Sequence, residues 1–371
     1  FENERQKSKR IQVMKVLNLS SKFANDTLYY PMSGDFRMRL YAVPYFLQPQ
    51  GPDWAKSLLS FNETSTVGDS GVVWLYAHAA ARWGLDKEPY AERIKWAEEN
   101  INLIRRIGES PISEMTWADA DEPWAFVRAC MEIYRLHSQG SSFRTSLPLS
   151  MDATNQGLQI YSMLLRDPIA GLATNVIPSD LPQDVYNQVS DIVRRLLYED
   201  SHPYGKKWLD FGISRKTTKR QTMTLCYGSV FFSCRAYTAE WFYDELKKGR
   251  NNPFGDETYS PCNYLAEKIW AAIGEVVKSA RVGMDWLRDC ASLFIEHGVT
   301  PRWLTPLGFP VKMHYENTNK YAIKTLVGGT LRQHRLRIPN GETNKRKTVN
   351  AICPNYVHSL DGIGGLLGHT I

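Results

Sequence analysis

Arg215-Lys-Thr-Thr-Lys219-Arg-Gln-Thr-Met-Thr-Leu-Cys-Tyr227-Gly228 is the stretch on which the reading of this 371-residue chain turns. On a helix, Arg215, Lys219, Met223 and Tyr227 follow one another four apart and share a face. A guanidinium, an ammonium and an aromatic ring in that order match a nucleoside triphosphate. The cations would meet the phosphates and the ring would lie beside sugar and base. Gly228 would end the helix and let a backbone or base approach closely. Spacing alone also fits an amphipathic helix with an ordinary solvated cationic face, to which Lys216 and Arg220 would add.

Upstream, Leu147-Pro-Leu-Ser-Met-Asp152-Ala-Thr-Asn-Gln-Gly157-Leu-Gln-Ile160 places one carboxylate at the end of an apolar run, where a strand gives way to a helix. A hard cation such as Mg²⁺ is held by carboxylate oxygens together with substrate phosphates. A lone Asp in that position is equally a helix cap.

The rest of the chain narrows the class. Hydrophobic residues make up 43% and charged residues 23%, which excludes wholesale disorder and collagen-like order. No apolar run reaches the ~18–20 residues of a membrane span, and Phe1–Arg10 is charged, without a signal-peptide core. The chain starts at Phe1 and not Met, so a piece of a longer protein is expected. Six scattered cysteines form no C-x-x-C pair, so neither a zinc ribbon nor a disulfide framework is indicated and a reducing cytoplasm fits. The net charge of +6 is unevenly spread. Arg332, Arg335, Arg337, Lys345, Arg346 and Lys347 cluster with only Glu342 opposing, which suits an anionic partner or a solvated face.

Helical periodicity dominates, and no internal repeat, low-complexity tract or long linker interrupts it. Ile94, Ala97, Ile101 and Ile104 predict a helix stopped by Gly108. Ser179-Asp180 with Gln183 predicts a capping box before Val185, Val189, Ile192, Val193 and Leu196. One long helix is predicted from Tyr264 to His297, ending before Gly298. Phe36–Phe46 is rich in strand formers. Trp303-Leu304 and Phe309–Tyr315 flank Pro306-Leu-Gly308 as a hairpin. A second, basic hairpin is predicted from Tyr321–Ile338 and Lys345–Ile352, turning at Pro339-Asn340-Gly341. The fold class is α+β, mostly helical, with a small antiparallel component.

Together the Asp152 and Arg215–Gly228 segments resemble motifs A and B of the single-subunit DNA-dependent RNA polymerases of bacteriophages and mitochondria. Gly34-Asp35-Phe-Arg37-Met-Arg39-Leu-Tyr41-Ala-Val43 with Gln48-Pro-Gln-Gly51 resembles that family's template-contacting segment. Pro354-Asn355-Tyr356-Val357-His358-Ser359 resembles the segment before motif C. Tyr90-Ala-Glu-Arg-Ile-Lys, Ser110-Pro-Ile, Leu165-Arg166-Asp167 and Thr305-Pro-Leu-Gly-Phe-Pro also match, so the likeness runs from about Lys15 to His358 and is close to the phage type.

The resemblance implies a right-hand polymerase fold with a small antiparallel palm sheet and a basic β-hairpin. It divides the chain into the end of a thumb helix (1–25), a palm with inserted helices and motif A (26–165), fingers carrying motif B (166–300), and palm hairpins with a specificity loop leading to motif C (301–371). It implies DNA-templated RNA synthesis by two-metal nucleotidyl transfer. Asp152 would hold two Mg²⁺ ions and Lys219 would protonate the leaving pyrophosphate. Arg215 would sit on the phosphates, Tyr227 would check sugar and base pair, and His358 would lie near the ribose 2′-hydroxyl. Gly157 stands five residues after Asp152, where the related DNA polymerases place a Glu that blocks a 2′-hydroxyl. Arg37, Arg39 and Arg220 would contact nucleic acid, and Arg332, Arg335 and Arg337 of the hairpin would reach promoter DNA. Two departures stand out. Met38 replaces the family's Gly between the two arginines, and the family's second metal carboxylate is missing from the 371 residues, Asp361 following His358 too closely to serve and being expected to be structural. Expected partners are promoter and template DNA, the transcript and ribonucleoside triphosphates, with no membrane, for a monomer in the cytoplasm, that of the host if viral. The rival readings are a DNA polymerase of the same fold and a catalytically incomplete nucleic-acid-binding remnant.

Overall fold

The apolar positions bury themselves in separate sets, and the chain divides accordingly into two units in a computed structural model that describes residues 2–150 and 153–368. The first unit comprises Phe1–Gly34, Leu40–Asp152 and Asp180–Pro182; the second comprises Asp35–Arg39, Ala153–Ser179 and Gln183–Ile371.

In the first unit, α1 (Glu2–Lys22) precedes the short hairpin β1 (Met32–Gly34) and β2 (Leu40–Ala42), paired Met32 to Ala42. After α2 (Asp53–Lys56) and β3 (Ser65–Thr66) come α3 (Asp69–Ala80), α4 (Tyr90–Glu99), α5 (Ile101–Glu109), α6 (Pro123–Gln139) and β4 (Arg144–Thr145). Ile104, Ile107, Phe126 and Ile133 are fully buried between α5 and α6. The helix predicted across Ile94–Ile104 is two helices. Asn100 breaks it by donating its side-chain amide back to the Trp96 carbonyl at 2.8 Å. Gly108 is no stop but a contact inside α5, since a Cβ there would lie 2.3 Å from the Cys130 carbonyl of α6. Of the strand-rich run Phe36–Phe46, only Leu40–Ala42 pairs.

In the second unit, α7 (Gln156–Leu164), α8 (Pro168–Ala173), α9 (Val185–Glu199), α10 (Pro203–Phe211), α11 (Arg215–Leu225), α12 (Phe231–Lys247), α13 (Tyr259–Val276) and α14 (Lys278–Glu296) enclose a core containing Leu158, Trp208, Phe242, Leu265, Ile269 and Ile273. The cap of α9 is Asp184, which accepts the N–H groups of Tyr186 and Asn187, and not the predicted Ser179-Asp180 pair. The long helix predicted from Tyr264 breaks at Val277, whose φ of −121° leaves the helical region.

The hairpin β5 (Arg302–Leu304) and β6 (Pro310–Lys312) forms where predicted. The basic hairpin does not. Its strands are β7 (Glu316–Val327) and β8 (Thr330–Thr343), and it turns at Gly328-Gly329. Both glycines have positive φ, 56° and 78°, as a two-residue hairpin turn requires. Asn340-Gly341 instead lies near the open end, where the register shifts between Glu316 and Thr318. The expected return strand Lys345–Ile352 is the start of helix α15 (Lys345–Gly368). All four sheets described are two-stranded and antiparallel, so the α+β, mostly helical class holds. No helix among the described residues is long and apolar enough to cross a membrane.

Candidate functional site

Helix α11 is very polar for a helix with a buried face. The buried face is Thr217, Thr218, Gln221, Thr222 and Leu225. Thr218 Oγ1 donates to the Tyr186 carbonyl at 2.9 Å and Gln221 Nε2 donates to Thr238 Oγ1 at 3.1 Å, while Gln221 Oε1 is buried without a hydrogen-bond partner among the described residues. The opposite side therefore presents Arg215, Lys219 and Met223 as the spacing predicts, whereas the helix ends at Leu225 and Tyr227 lies in the turn that follows, partly buried against the core. Their surroundings differ. Arg215 Nε donates to Asp184 Oδ2 at 2.5 Å, and its guanidinium lies 4.9 Å from the Tyr186 ring centre. Arg220 is held by Glu240 at 2.6 Å and lies over the Tyr237 ring. Lys219 is exposed and has no ion-pair partner among the described residues. Asp184 and Tyr186 were missed by the sequence reading; the charge at the start of α9 was the available signal.

At the C-terminal end of α11, Tyr227 meets His358 of α15 with ring centres 5.0 Å apart. Burial raises the Tyr227 hydroxyl pKa. Gly228 has φ 86°, and a Cβ there would lie 3.0 Å from the Asn350 carbonyl, so glycine is required on both counts.

The tip Asp35–Arg39 belongs to the same unit. Asp35 Oδ1 accepts the backbone N–H groups of Arg37 at 2.8 Å and Arg39 at 3.1 Å, and its Oδ2 accepts Arg37 Nε at 2.8 Å. Arg37 Nη1 then reaches His358 Nδ1 at 2.8 Å. Arg39 Nε donates to Asp361 Oδ2 at 2.7 Å, which is the structural role expected for Asp361. Met38 occupies the left-handed region at φ 69°. The close backbone approach that a glycine would give there is supplied from the other side: a Cβ on Gly362 of α15 would lie 2.9 Å from the Met38 carbonyl carbon. Burial first, then Arg39 and Arg37, lower the His358 pKa to about 4, so the ring is neutral near neutral pH.

Gly157 is buried in α7. A Cβ there would meet Cys226 Sγ at 2.5 Å and Cys226 Cβ at 2.9 Å. The space left by its missing side chain is thus filled from within the protein. Nearby, Asn155 holds a strained φ of 122°, with Oδ1 accepting the Leu158 N–H at 3.2 Å and the Cys226 thiol at 3.4 Å.

The hairpin β7–β8 is exposed along both faces, and its register sorts the basic residues. Lys320 opposes Arg337, Ala322 opposes Arg335 and Lys324 opposes Gln333, so Lys320, Lys324, Arg335 and Arg337 share one face. Arg332 opposes Thr325 and lies on the other face, with Tyr321, Ile323, His334 and Leu336. The sequence reading grouped all three arginines and passed over the lysines, because the misplaced turn hid the pairing.

Asp152 lies outside the described residues. Among the described residues no group of three His, Cys, Asp or Glu side chains is placed to hold a metal ion, so the metal expectation rests on the sequence around Asp152.

A family model described as DNA-dependent RNA polymerase matches residues 65–367. T7 RNA polymerase of Escherichia phage T7 is 32% identical, over 96% of this chain and 45% of its own length. The DNA-directed RNA polymerase of Pseudomonas phage phiKMV is 32% identical, over 90% of this chain and 42% of its own length. The mitochondrial DNA-directed RNA polymerase of Homo sapiens is 30% identical, over 95% of this chain and 29% of its own length. The chain thus spans less than half the length of these relatives.

Proposed function

The chain belongs to the DNA-dependent RNA polymerase family of phage and mitochondrial type, and on that premise we propose that it forms the nucleotide site of an enzyme that makes RNA on a DNA template. The observation that carries this reading is the arrangement on α11. An exposed Lys219, without an ion-pair partner among the described residues, follows Arg215 on one face of the helix, and Tyr227, in the turn at its end, abuts His358. Lys219 lies within α11 and Tyr227 in the turn just past its end, so the cation and the ring stand at successive points along one nucleotide-length path.

In the reaction, the 3′-hydroxyl of the transcript attacks the α-phosphate of a ribonucleoside triphosphate. A P–O bond forms there as the hydroxyl gives up its proton to solvent, the bond to the β-phosphate breaks and pyrophosphate leaves. Lys219 neutralises the phosphates and gives a proton to the leaving pyrophosphate. Arg215, steadied by Asp184 and Tyr186, adds a fixed positive charge. Tyr227 and His358 border the sugar. Divalent ions held in part by Asp152, two Mg²⁺ in the family's chemistry, would supply charge stabilisation at the reacting phosphates.

Since Cys226 fills the space at Gly157, sugar selection falls mainly to Tyr227 and His358, with Gly157 contributing the absence of a blocking carboxylate. The hairpin face of Lys320, Lys324, Arg335 and Arg337 would meet promoter DNA, and Arg37, Arg39 and Arg220 would serve the template and transcript. We assign residues 1–25 to the end of a thumb, 26–165 and 301–371 to a right-hand palm, and 166–300 to fingers, in a monomer. Templated extension with ribonucleotides tests the reading. Lys219→Ala should lower kcat by ~10²–10⁴-fold with template binding retained. Turnover near wild type would remove Lys219 from the chemistry, and a preference for deoxynucleotides would favour the DNA polymerase alternative.

A further inference from the structure

The contact between Arg37 and His358 fixes more than a position. A guanidinium has five N–H donors, no acceptor, and stays protonated at any working pH. Its Nη1 lies 2.8 Å from His358 Nδ1, so that nitrogen must offer its lone pair. A neutral imidazole carries one ring proton, and here it is left on Nε2. We propose that Arg37, clamped by Asp35, is a positioning residue that selects the Nε2–H tautomer of His358, so that the ring presents one neutral N–H donor to the ribose 2′-hydroxyl of the incoming nucleotide. The proposal rests on the reading of His358 as a sugar-side residue.

Three features make the selection firm. Asp35 is anchored by two backbone N–H groups of its own turn, through Oδ1. Its Oδ2 takes Nε and Nη2 of Arg37 together, which sets the plane of the guanidinium and aims Nη1 at the ring. The neighbouring cation, Arg39, turns to Asp361. Tyr227 covers the ring from the side, and Nε2 has no hydrogen-bond partner among the described residues.

The arrangement inverts the common one, in which a carboxylate accepts from Nδ1–H, leaves Nε2 as the acceptor of the neutral ring and eases its protonation. Here a cation stands in the carboxylate's place. It reverses the tautomer and, with burial and Arg39, disfavours the imidazolium, in keeping with a pKa lowered to about 4. The chemical consequence is selectivity. A charged imidazolium would attract any triphosphate whatever its sugar, whereas a neutral N–H donor gains only from an acceptor oxygen at hydrogen-bond range.

Imidazole ¹⁵N–¹H correlation spectra of the histidine-labelled chain, with His358→Gln for assignment, test the tautomer directly. The wild-type ring should show a pyridine-type Nδ1 and a pyrrole-type Nε2, unchanged from about pH 5.5 to 8. Arg37→Met should give mixed tautomers, a midpoint moved toward the ordinary ~6.5, and ribose-over-deoxyribose selectivity lowered by about tenfold. Arg37→Lys, which keeps a donor-only cation, should restore part of both. A wild-type Nδ1–H ring would overturn the proposal. So would an Arg37→Met enzyme that loses the tautomer and keeps its selectivity. His358→Ala separates the two levels: unchanged selectivity there would discard the sugar-side reading itself, whatever the spectra show.

Discussion

Gly362 shows how a single missing side chain can set a polar network. Its Cα faces the backbone of Met38, and an added Cβ would lie 2.9–3.0 Å from the Met38 carbonyl group and the Arg37 carbonyl oxygen. Backbone atoms cannot swing aside as a side-chain end can, so Gly362→Ala must move the tip Asp35–Arg39 as a body. The expected destabilisation is about 1–3 kcal/mol, typical of overpacking, read from urea midpoints. The same shift should part Arg37 from His358 and Arg39 from Asp361, so sugar selectivity should fall along with stability. A variant with lower stability and intact selectivity would show that the network tolerates the displacement. None of this could be read from the sequence. Arg37 and His358 are 321 residues apart, and Asp-x-Arg-x-Arg says nothing of which arginine finds the ring. The resemblance supplied the names of the residues; the contact between them required the fold.

At the scale of elements, what was legible follows from periodicity, and what failed follows from choices between competing turns. Helix α11 and its Arg215–Lys219–Met223 face were readable because four-residue spacing alone places them, whereas Tyr227, expected on the same helix, falls in the turn after Leu225. The basic hairpin was misjudged because Asn-Gly and Gly-Gly both make two-residue turns, and only strand pairing chooses between them. With the register known, neutralising Lys320, Lys324, Arg335 and Arg337 one at a time should each lower the salt slope of promoter binding by about one, while Arg332→Gln leaves it unchanged. An equal effect from Arg332 would mean that both faces touch DNA. Gly157 makes the corresponding point about packing. Gly157→Ala should cost about 1–3 kcal/mol by driving α7 off Cys226, and Cys226→Ala, which removes Sγ and keeps the Cβ at 2.9 Å, should relieve part of it. A double-mutant cycle should show the two substitutions coupled by more than ~0.5 kcal/mol; additive effects would mean the helices separate freely.

At the scale of the molecule, the two units were not visible as a boundary in composition because neither is contiguous: Asp35–Arg39 and Asp180–Pro182 each fall in the unit opposite to their neighbours. Each unit contains a histidine held neutral. In the first unit, burial, then Arg82, lowers the His78 pKa to about 4, with Lys56 adding to the effect and Glu122 opposing it. In the second, His358 is likewise lowered to about 4. A histidine whose folded pKa lies below its unfolded value of ~6.5 binds fewer protons in the native state between those values. Stability must therefore fall as pH drops from about 6.5 to about 4, and this loss is complete below that. A second loss follows at lower pH from carboxylates held below their usual range, Asp35 by its hydrogen bonds to Arg37 and Arg39 despite burial, and Asp200, at about 2, by Lys268, the His202 N–H and Tyr264. Acid unfolding should thus proceed in two phases. His78→Gln should flatten the first phase in the first unit alone, read as hydrogen-exchange protection of α3 and α6 against pH, while α13 keeps its wild-type profile. Since α3 and α6 share the core that encloses His78, unchanged pH dependence there would mean that the imidazole is protonated in the native state and finds its counter-charge in Glu122.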